Sequence, residues 1–169
     1  TSPLNISFLA LDTDKETLKK SYGVAGFDKS GDEFVDLTVD GLPKVISSII
    51  EKHLDDEEWK WYDRDLNASG GLDGANGIRQ IGRFMLFQCV NDVCARFTRA
   101  IEKVLKSAES NSLKIFVLTG IGGGTGSGTF MDVAYLLRTL ALDKTPNVQL
   151  HGYIFTPDLN KGNGGDDAS

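Results

Sequence analysis

The sequence lacks long apolar runs, an excess of basic charge and any sign of an export signal. Apolar runs such as residues 84–87 and 115–118 are only four residues long, and no run approaches the roughly 20 residues of a membrane-spanning helix, which excludes one. Among the 169 residues, 18 Lys and Arg stand against 24 Asp and Glu, so nucleic acid is not an expected partner. No basic-then-apolar leader is visible from Thr1 onward, so nothing predicts secretion.

Cysteine is also scarce. Cys89 and Cys94 lie five residues apart on a predicted helix, with no histidine nearby. This spacing is neither a CxxC motif nor a pair on one helix face, so a zinc or redox site is not expected. The sequence instead predicts two buried, reduced thiols. A cytoplasmic location is the expectation that follows.

Glycine, by contrast, is plentiful and unevenly distributed. Of the 19 glycines, six fall in residues 120–128 and five in residues 70–82. Because glycine has no Cβ, each cluster predicts a place where the backbone closely approaches another group.

The hydrophobic pattern predicts an α/β fold in which residues 1–157 form one domain. Apolar runs predict strands, amphipathic periodicity predicts helices, and Asp14 or Thr13 is expected to cap a helix ending near Lys20. The predicted strands are 4–11, 33–37, 114–120 and 148–156, and the predicted helices include 45–54, 87–108 and 129–142. Strand, loop, helix and strand over residues 114–156 form a βαβ unit, which predicts a three-layer parallel sheet. Residues 158–169 are expected to be a flexible tail.

The second glycine cluster has the pattern of a phosphate cradle. Residues 122–128 read GGGTGSG and lie between a predicted buried strand and a predicted helix. Consecutive backbone N–H groups can converge on an anion if the glycines adopt the positive φ angles of a nest. The following helix adds free amides and a partial positive charge, and two hydroxyls add further donors. The predicted phosphate ligands are Gly122, Gly123, Gly124, Thr125, Gly126 and Ser127.

Other glycine motifs fit this stretch less well. A Walker A loop needs a lysine after its last glycine, and there is none between Lys114 and Lys144. A GxGxxG dinucleotide motif fails in phase, because the required third glycine is Ser127 or Thr125. An NAD-binding oxidoreductase domain therefore remains a weaker alternative, as does a glycine turn without a ligand.

GGGTGSG resembles the GGGTG[ST]G signature shared by tubulins and the bacterial division protein FtsZ. Phe8–Asp14 (FLALDTD) is similar to the FtsZ-type strand that ends in Asn-Thr-Asp. Residues 74–77 (GANG), together with Gly82-Arg83, resemble the glycine loop that opens the helix before the signature strand. The three motifs occur in the family's order over residues 4–157, and residues 77–83 are most similar to divergent bacterial tubulin-like proteins.

The resemblance implies a Rossmann-like domain that binds GTP or GDP with Mg²⁺. Residues 122–128 would hold the α- and β-phosphates, and the loop Gly74, Ala75, Asn76, Gly77 would lie along the γ-phosphate. Asp12 and Asp14 would lie near the phosphates and could bind Mg²⁺, although a loop and helix cap remains an open alternative for this acid pair. Arg79 and Arg83 are more typical of ion pairs on a helix surface.

The resemblance also implies that the nucleotide-binding domain is incomplete. The family's first strand and glycine loop would precede Thr1, and its base-reading residues and catalytic acidic loop would follow Ser169. The expected function is therefore the nucleotide-binding part of a GTPase that polymerises head to tail when full length, and no catalytic residue is assigned. A nonhydrolysing scaffold or nucleotide sensor is the main alternative.

Overall fold

The computed structural model describes residues 5–21, 33–53, 56–63, 66, 74–107 and 111–157, and these form an α/β fold. The strands are β1 (Ala10–Asp12), β2 (Phe34–Asp36), β3 (Ser112–Gly120) and β4 (Asn147–Phe155). The helices are α1 (Lys15–Ser21), α2 (Leu42–His53), α3 (Arg79–Gln88), α4 (Val90–Ser107) and α5 (Gly124–Leu142). A 3-10 turn at Glu57–Trp59 lies between α2 and α3.

The strands pair as two small parallel sheets. β1 pairs with β2, and Ala10 lies opposite Phe34. β3 pairs with β4 over nine residues, from Ser112 opposite Asn147 onward. Because α5 connects β3 to β4 and packs on both, the predicted βαβ unit is confirmed. The α/β class is confirmed with it.

The core joins the helices to both sheets. Val35 of β2 packs in one buried cluster with Phe97 of α4 and Val133 of α5. A second cluster places Leu113 of β3 against Ile101 of α4 and against α5. Because α5 contributes to both clusters, these buried contacts fix this helix relative to both sheets.

Two predicted helix boundaries are wrong. The helix predicted over 87–108 is divided, since α3 ends at Gln88 and α4 begins at Val90, with Cys89 at φ −100° and ψ 7° between them. Phe87, near the end of α3, lies outside the buried core: it stacks on Trp61 and is 39% exposed. No glycine or proline marks this break in the sequence. The helix predicted to begin at 129 begins five residues earlier, as described below.

One face of the β3–β4 sheet is uncovered in the described part of the chain. Its four large apolar side chains, two on each strand, are each between 48 and 66% exposed: Phe116, Leu118, Tyr153 and Phe155. Aromatic contacts run across the strands, and Phe116 stacks on His151. The opposite face packs against α4 and α5.

Several smaller predictions can also be compared with the structure. Asp14 does cap α1, because its Oδ1 accepts hydrogen bonds from the backbone N–H groups of Glu16 and Thr17. The strand predicted over 4–11 is wrong in extent, because β1 covers only Ala10–Asp12 and residues 5–9 are not in a strand. Residue 4 and the predicted tail at 158–169 lie outside the described residues. Among the helices that are described, none has the length and apolar character needed to cross a bilayer.

Candidate functional site

The helix that carries the glycine signature begins within the signature itself. α5 begins at Gly124, and its N-cap residue Gly123 has extended backbone angles, φ −109° and ψ 173°. No residue in 122–128 has a positive φ, so the expected nest geometry is wrong there. Positive φ angles occur instead in the other glycine motif, at Gly74, Asn76 and Gly77.

The signature glycines allow backbones to pack directly against each other. A Cβ on Gly126 would lie 2.2 Å from the carbonyl oxygen of Gly120, at the end of β3. A Cβ on Gly128 would lie 2.2 Å from the carbonyl oxygen of Arg79, at the start of α3. Because real Cβ atoms do not come this close to backbone oxygen, these positions are restricted to glycine by packing. The result is a helix start held tightly between a strand end and a second helix.

Helices α3 and α5 begin side by side and run in parallel. Ile78 lies next to Gly124, and Arg83 lies next to Asp132 further along both helices. Both N-caps, Ile78 and Gly123, lack a side-chain hydrogen bond to the helix that follows. Within the described residues, the first amides of both helices therefore have no side-chain cap, and the two positive helix ends lie at one place. This doubled helix start was not predicted from the sequence.

The turn at residues 74–77 lies beside these helix starts. Ile78 N–H donates to the Ala75 carbonyl at 2.8 Å, which closes the turn. Asn76 and Gly77 are exposed, and within the described residues their backbone N–H groups have no hydrogen-bond partner. Gly122 and Gly123 are likewise exposed across from them. Exposed backbone of both motifs thus lies beside the two helix starts.

A chain of hydroxyl groups joins the three sequence motifs. Ala75 N–H donates to Thr13 Oγ1 at 3.0 Å, and Thr13 Oγ1 lies 2.6 Å from Thr125 Oγ1. Thr125 Oγ1 in turn donates to Asp12 Oδ1 at 3.0 Å. The sequence indicated Thr13 only as a possible helix cap, yet this buried residue connects all three motifs. Its position in the middle of Asp-Thr-Asp was the available signal.

The two hydroxyls expected to contact phosphate are used inside the protein. Thr125 bonds to Asp12 and Thr13, and Ser127 Oγ donates to the Gly123 carbonyl within the first turn of α5. Within the described residues, the donors without an intramolecular partner at this edge are therefore backbone amides. A groove of about 240 Å³ leads to it between β1 and β3, lined by Asp12 and Thr125 among others.

The acids at the end of β1 have different surroundings. Asp12 Oδ1 accepts from the backbone N–H groups of Thr13 at 2.7 Å and Asp14 at 3.2 Å, as well as from Thr125. In the described residues nothing bonds to its Oδ2, which leaves that oxygen for a cation. Hydrogen bonds from the Thr17 side chain and backbone hold the pKa of Asp14 below its usual value. The cap interpretation of Asp14 is thus confirmed, and its role toward a metal stays a prediction.

Arg83 locks the two parallel helices together. Its Nε and Nη2 donate to both carboxylate oxygens of Asp132 on α5, at 2.8 and 3.0 Å. Its guanidinium also lies over the Trp61 ring, 4.6 Å from the centroid. The expected ion pair is confirmed, and it links one helix start to the other. Bidentate geometry of this kind fixes orientation as well as distance.

The fold and this edge define an α/β protein with parallel strands and a polarised pair of helix starts. A family model described as tubulin-like matches residues 1–169, the whole sequence. The chain therefore belongs to the tubulin-like family, which confirms the resemblance to the tubulin and FtsZ superfamily. No curated protein and no solved structure matches the chain significantly.

Proposed function

We propose that this chain supplies the phosphate-binding part of a GTP or GDP site in a tubulin-like GTPase. The observation that carries the proposal is the pair of uncapped helix N-termini at an edge where two exposed glycine-containing segments meet. Such N-termini bind anions, because their free amides point outward and the helix dipoles favour negative charge. Membership in the tubulin-like family supports guanine as the base.

The backbone donors divide between two phosphate positions. The amides of residues 122–126 bind the α- and β-phosphates at the start of α5, and those of Asn76 and Gly77 bind the γ-phosphate. Gly74 and Ala75 shape the turn, since Gly74 approaches Thr13 and the Ala75 amide is already bonded to it. The hydroxyls of Thr125 and Ser127 hold the loops and do not bind phosphate directly.

The residues at this edge also fit a magnesium ion. Mg²⁺ in nucleotide sites is held by one or two carboxylates together with substrate phosphates and water. Asp12 offers Oδ2 for this role, and the described residues contain no cluster of three metal-ligating side chains that would indicate an all-protein site. Bound there, the ion would neutralise phosphate charge. Asp14 serves as the weaker candidate ligand.

The same proposal covers the whole protein. The two parallel sheets are parts of one sheet in a three-layer, Rossmann-like fold. The protein is cytoplasmic and forms a polymer whose subunits add head to tail. A contact of that kind joins two different surfaces and generates open filaments. We assign no residue of this chain to the hydrolytic step.

Replacing Gly123 tests the site without crowding it. In Gly123→Asp the new carboxylate accepts hydrogen bonds from the first amides of α5, which stabilises the helix but occupies the phosphate position. We expect GTP and GDP affinity to fall about tenfold or more, because the carboxylate competes with and repels the phosphates. Titration of the purified protein with labelled GTP, GDP, ATP and NAD⁺ measures this.

Gly123→Ala is the matched control. Nothing lies within 4 Å of a Cβ at this position, so the alanine variant is expected to bind within about twofold of the wild type. Equal GTP affinity in the wild type and Gly123→Asp would contradict the proposal, and so would a preference for NAD⁺ over GTP. Binding without turnover in the assembled protein would favour a scaffold or sensor over a GTPase.

A further inference from the structure

The Thr13 hydroxyl contacts both glycine-containing motifs and is shielded from solvent. The residue is 2% exposed, so a ligand at the outer edge does not reach it directly. Its Oγ1 is bonded to Ala75 of the turn on one side and to Thr125 of the signature on the other. A buried hydroxyl is costly unless it is fully hydrogen-bonded, and this one uses both its donor and its acceptor capacity.

The direction of the hydroxyl chain follows from its protons. Each threonine hydroxyl has one proton, and the Thr125 proton is committed to the Asp12 carboxylate. The short contact between the two hydroxyls must therefore use the Thr13 proton, so that Thr13 donates to Thr125. The Ala75 amide then donates to Thr13, and the series ends on an ionised carboxylate. Bonds aligned in this way polarise one another, and the charged acceptor strengthens the last of them.

We propose that Thr13 is a positioning residue that couples the turn at 74–77 to the helix start at 122–126. This inference rests on the proposed function, in which the two segments bind different phosphates. A phosphate held at the start of α5 fixes Thr125, and through Thr13 it fixes the Ala75 amide and the turn. The converse also holds, because coupling between two binding positions is reciprocal. Thr13 thereby sets how strongly the site prefers a triphosphate to a diphosphate.

Replacement of Thr13 by valine and by serine tests the coupling. Valine has nearly the same shape but removes the hydroxyl, whereas serine keeps it. In Thr13→Val we expect the preference for a non-hydrolysable GTP analogue over GDP to fall at least about fivefold. GDP affinity itself is expected to fall less than the affinity for the GTP analogue, since the amides at 122–126 remain and GDP has no γ-phosphate to use the turn. Thr13→Ser is expected to restore most of the preference.

The outcomes separate this inference from the proposed function. A wild-type protein that binds neither nucleotide overturns the proposed function. A wild-type protein that binds both, together with an unchanged ratio in Thr13→Val, overturns only the role of Thr13. A loss of stability alone would lower both affinities together and would not be rescued selectively at the triphosphate by serine.

A measurement on the wild-type protein covers the case in which Thr13→Val does not fold. Amide hydrogen exchange at Ala75 reports directly on its bond to Thr13. GDP has no γ-phosphate to reach the turn, yet coupling through Thr13 predicts that bound GDP slows exchange at Ala75 at least about fivefold. Exchange at Ala75 that is unchanged by saturating GDP overturns the inference.

Discussion

The two glycine-containing segments of the site use glycine in different ways. In the turn at 74–77, Gly74 and Gly77 have φ angles of 85° and 77°, which side chains disfavour. In the signature, Gly126 and Gly128 have ordinary helical backbone but lie against carbonyl oxygens of neighbouring elements. The turn therefore needs glycine for its own conformation, whereas the signature needs it for contact with other segments.

This difference changes what a glycine cluster in a sequence indicates. Glycine inside a helix costs roughly 1 kcal/mol relative to alanine, so a run of it predicts a loop. At the start of α5 that cost is offset by close packing of the helix on β3 and α3. The same packing brings the amides of two helices to one edge, which a flexible loop would not do.

The largest expected effect is on stability, from alanine at Gly126 or Gly128. Alanine would normally stabilise a helix, but here its Cβ meets backbone oxygen at 2.2 Å. We expect the free energy of unfolding to fall by at least about 2 kcal/mol, measured by denaturant titration. Gly152→Ala in β4 is the control, because nothing lies within 4 Å of its Cβ. Equal stability of the variants and this control would contradict the packing role.

The turn is expected to respond less strongly. Gly77 has open space around it, so Gly77→Ala encounters only the cost of a positive φ, about 1 kcal/mol. Gly77→Asn should recover part of this loss, since asparagine tolerates the left-handed region, as Asn76 does at φ 45°. Thermal unfolding of both variants measures the difference. A larger loss than that of Gly126→Ala would reverse the comparison.

The third prediction concerns the Asp14 cap of α1, whose contribution to stability depends on pH, unlike that of the glycine positions. The pKa of folded Asp14 is lowered by hydrogen bonds from Thr17, so the ionised form stabilises the fold. That contribution is complete above the unfolded pKa, near 4, and is lost as the pH falls through the lower folded value. The stability difference between wild type and Asp14→Ala should therefore shrink as the pH falls below about 4. A difference that is constant from pH 6 to pH 3 would contradict this.

The smallest expected effect is on the chemical reactivity of Cys89, the residue that follows α3. Its measurement does not alter either glycine-containing segment. Burial raises the pKa of Cys89, and the charges of Asp36 and Asp92 raise it further. In Cys94→Ala, which isolates this thiol, we expect alkylation between pH 7 and 9 to be slower than that of free cysteine, because the thiolate reacts. A rate equal to that of free cysteine would show that Cys89 is in a water-like environment.

The sequence was informative where local pattern decides the structure. The βαβ unit from β3 to β4 follows from two apolar runs separated by a helical period, and the cap at Asp14 follows from local hydrogen bonding. The early start of α5 could not be predicted this way, because it depends on Gly128 meeting Arg79, far away in sequence. The role of Thr13 depends on partners 62 and 112 residues away, and no local pattern encodes them.

Among the described residues, one apolar face of the β3–β4 sheet is uncovered, and this face is expected to govern how the purified chain behaves at high concentration. Four exposed side chains form a continuous apolar strip on this face: Phe116, Leu118, Tyr153 and Phe155. The net charge of −6 provides only moderate repulsion between molecules. Salts that are excluded from protein surfaces strengthen attraction between such strips. In concentrated solution the chain should therefore self-associate through this face first. Leu118→Lys is the simplest substitution to reduce that self-association.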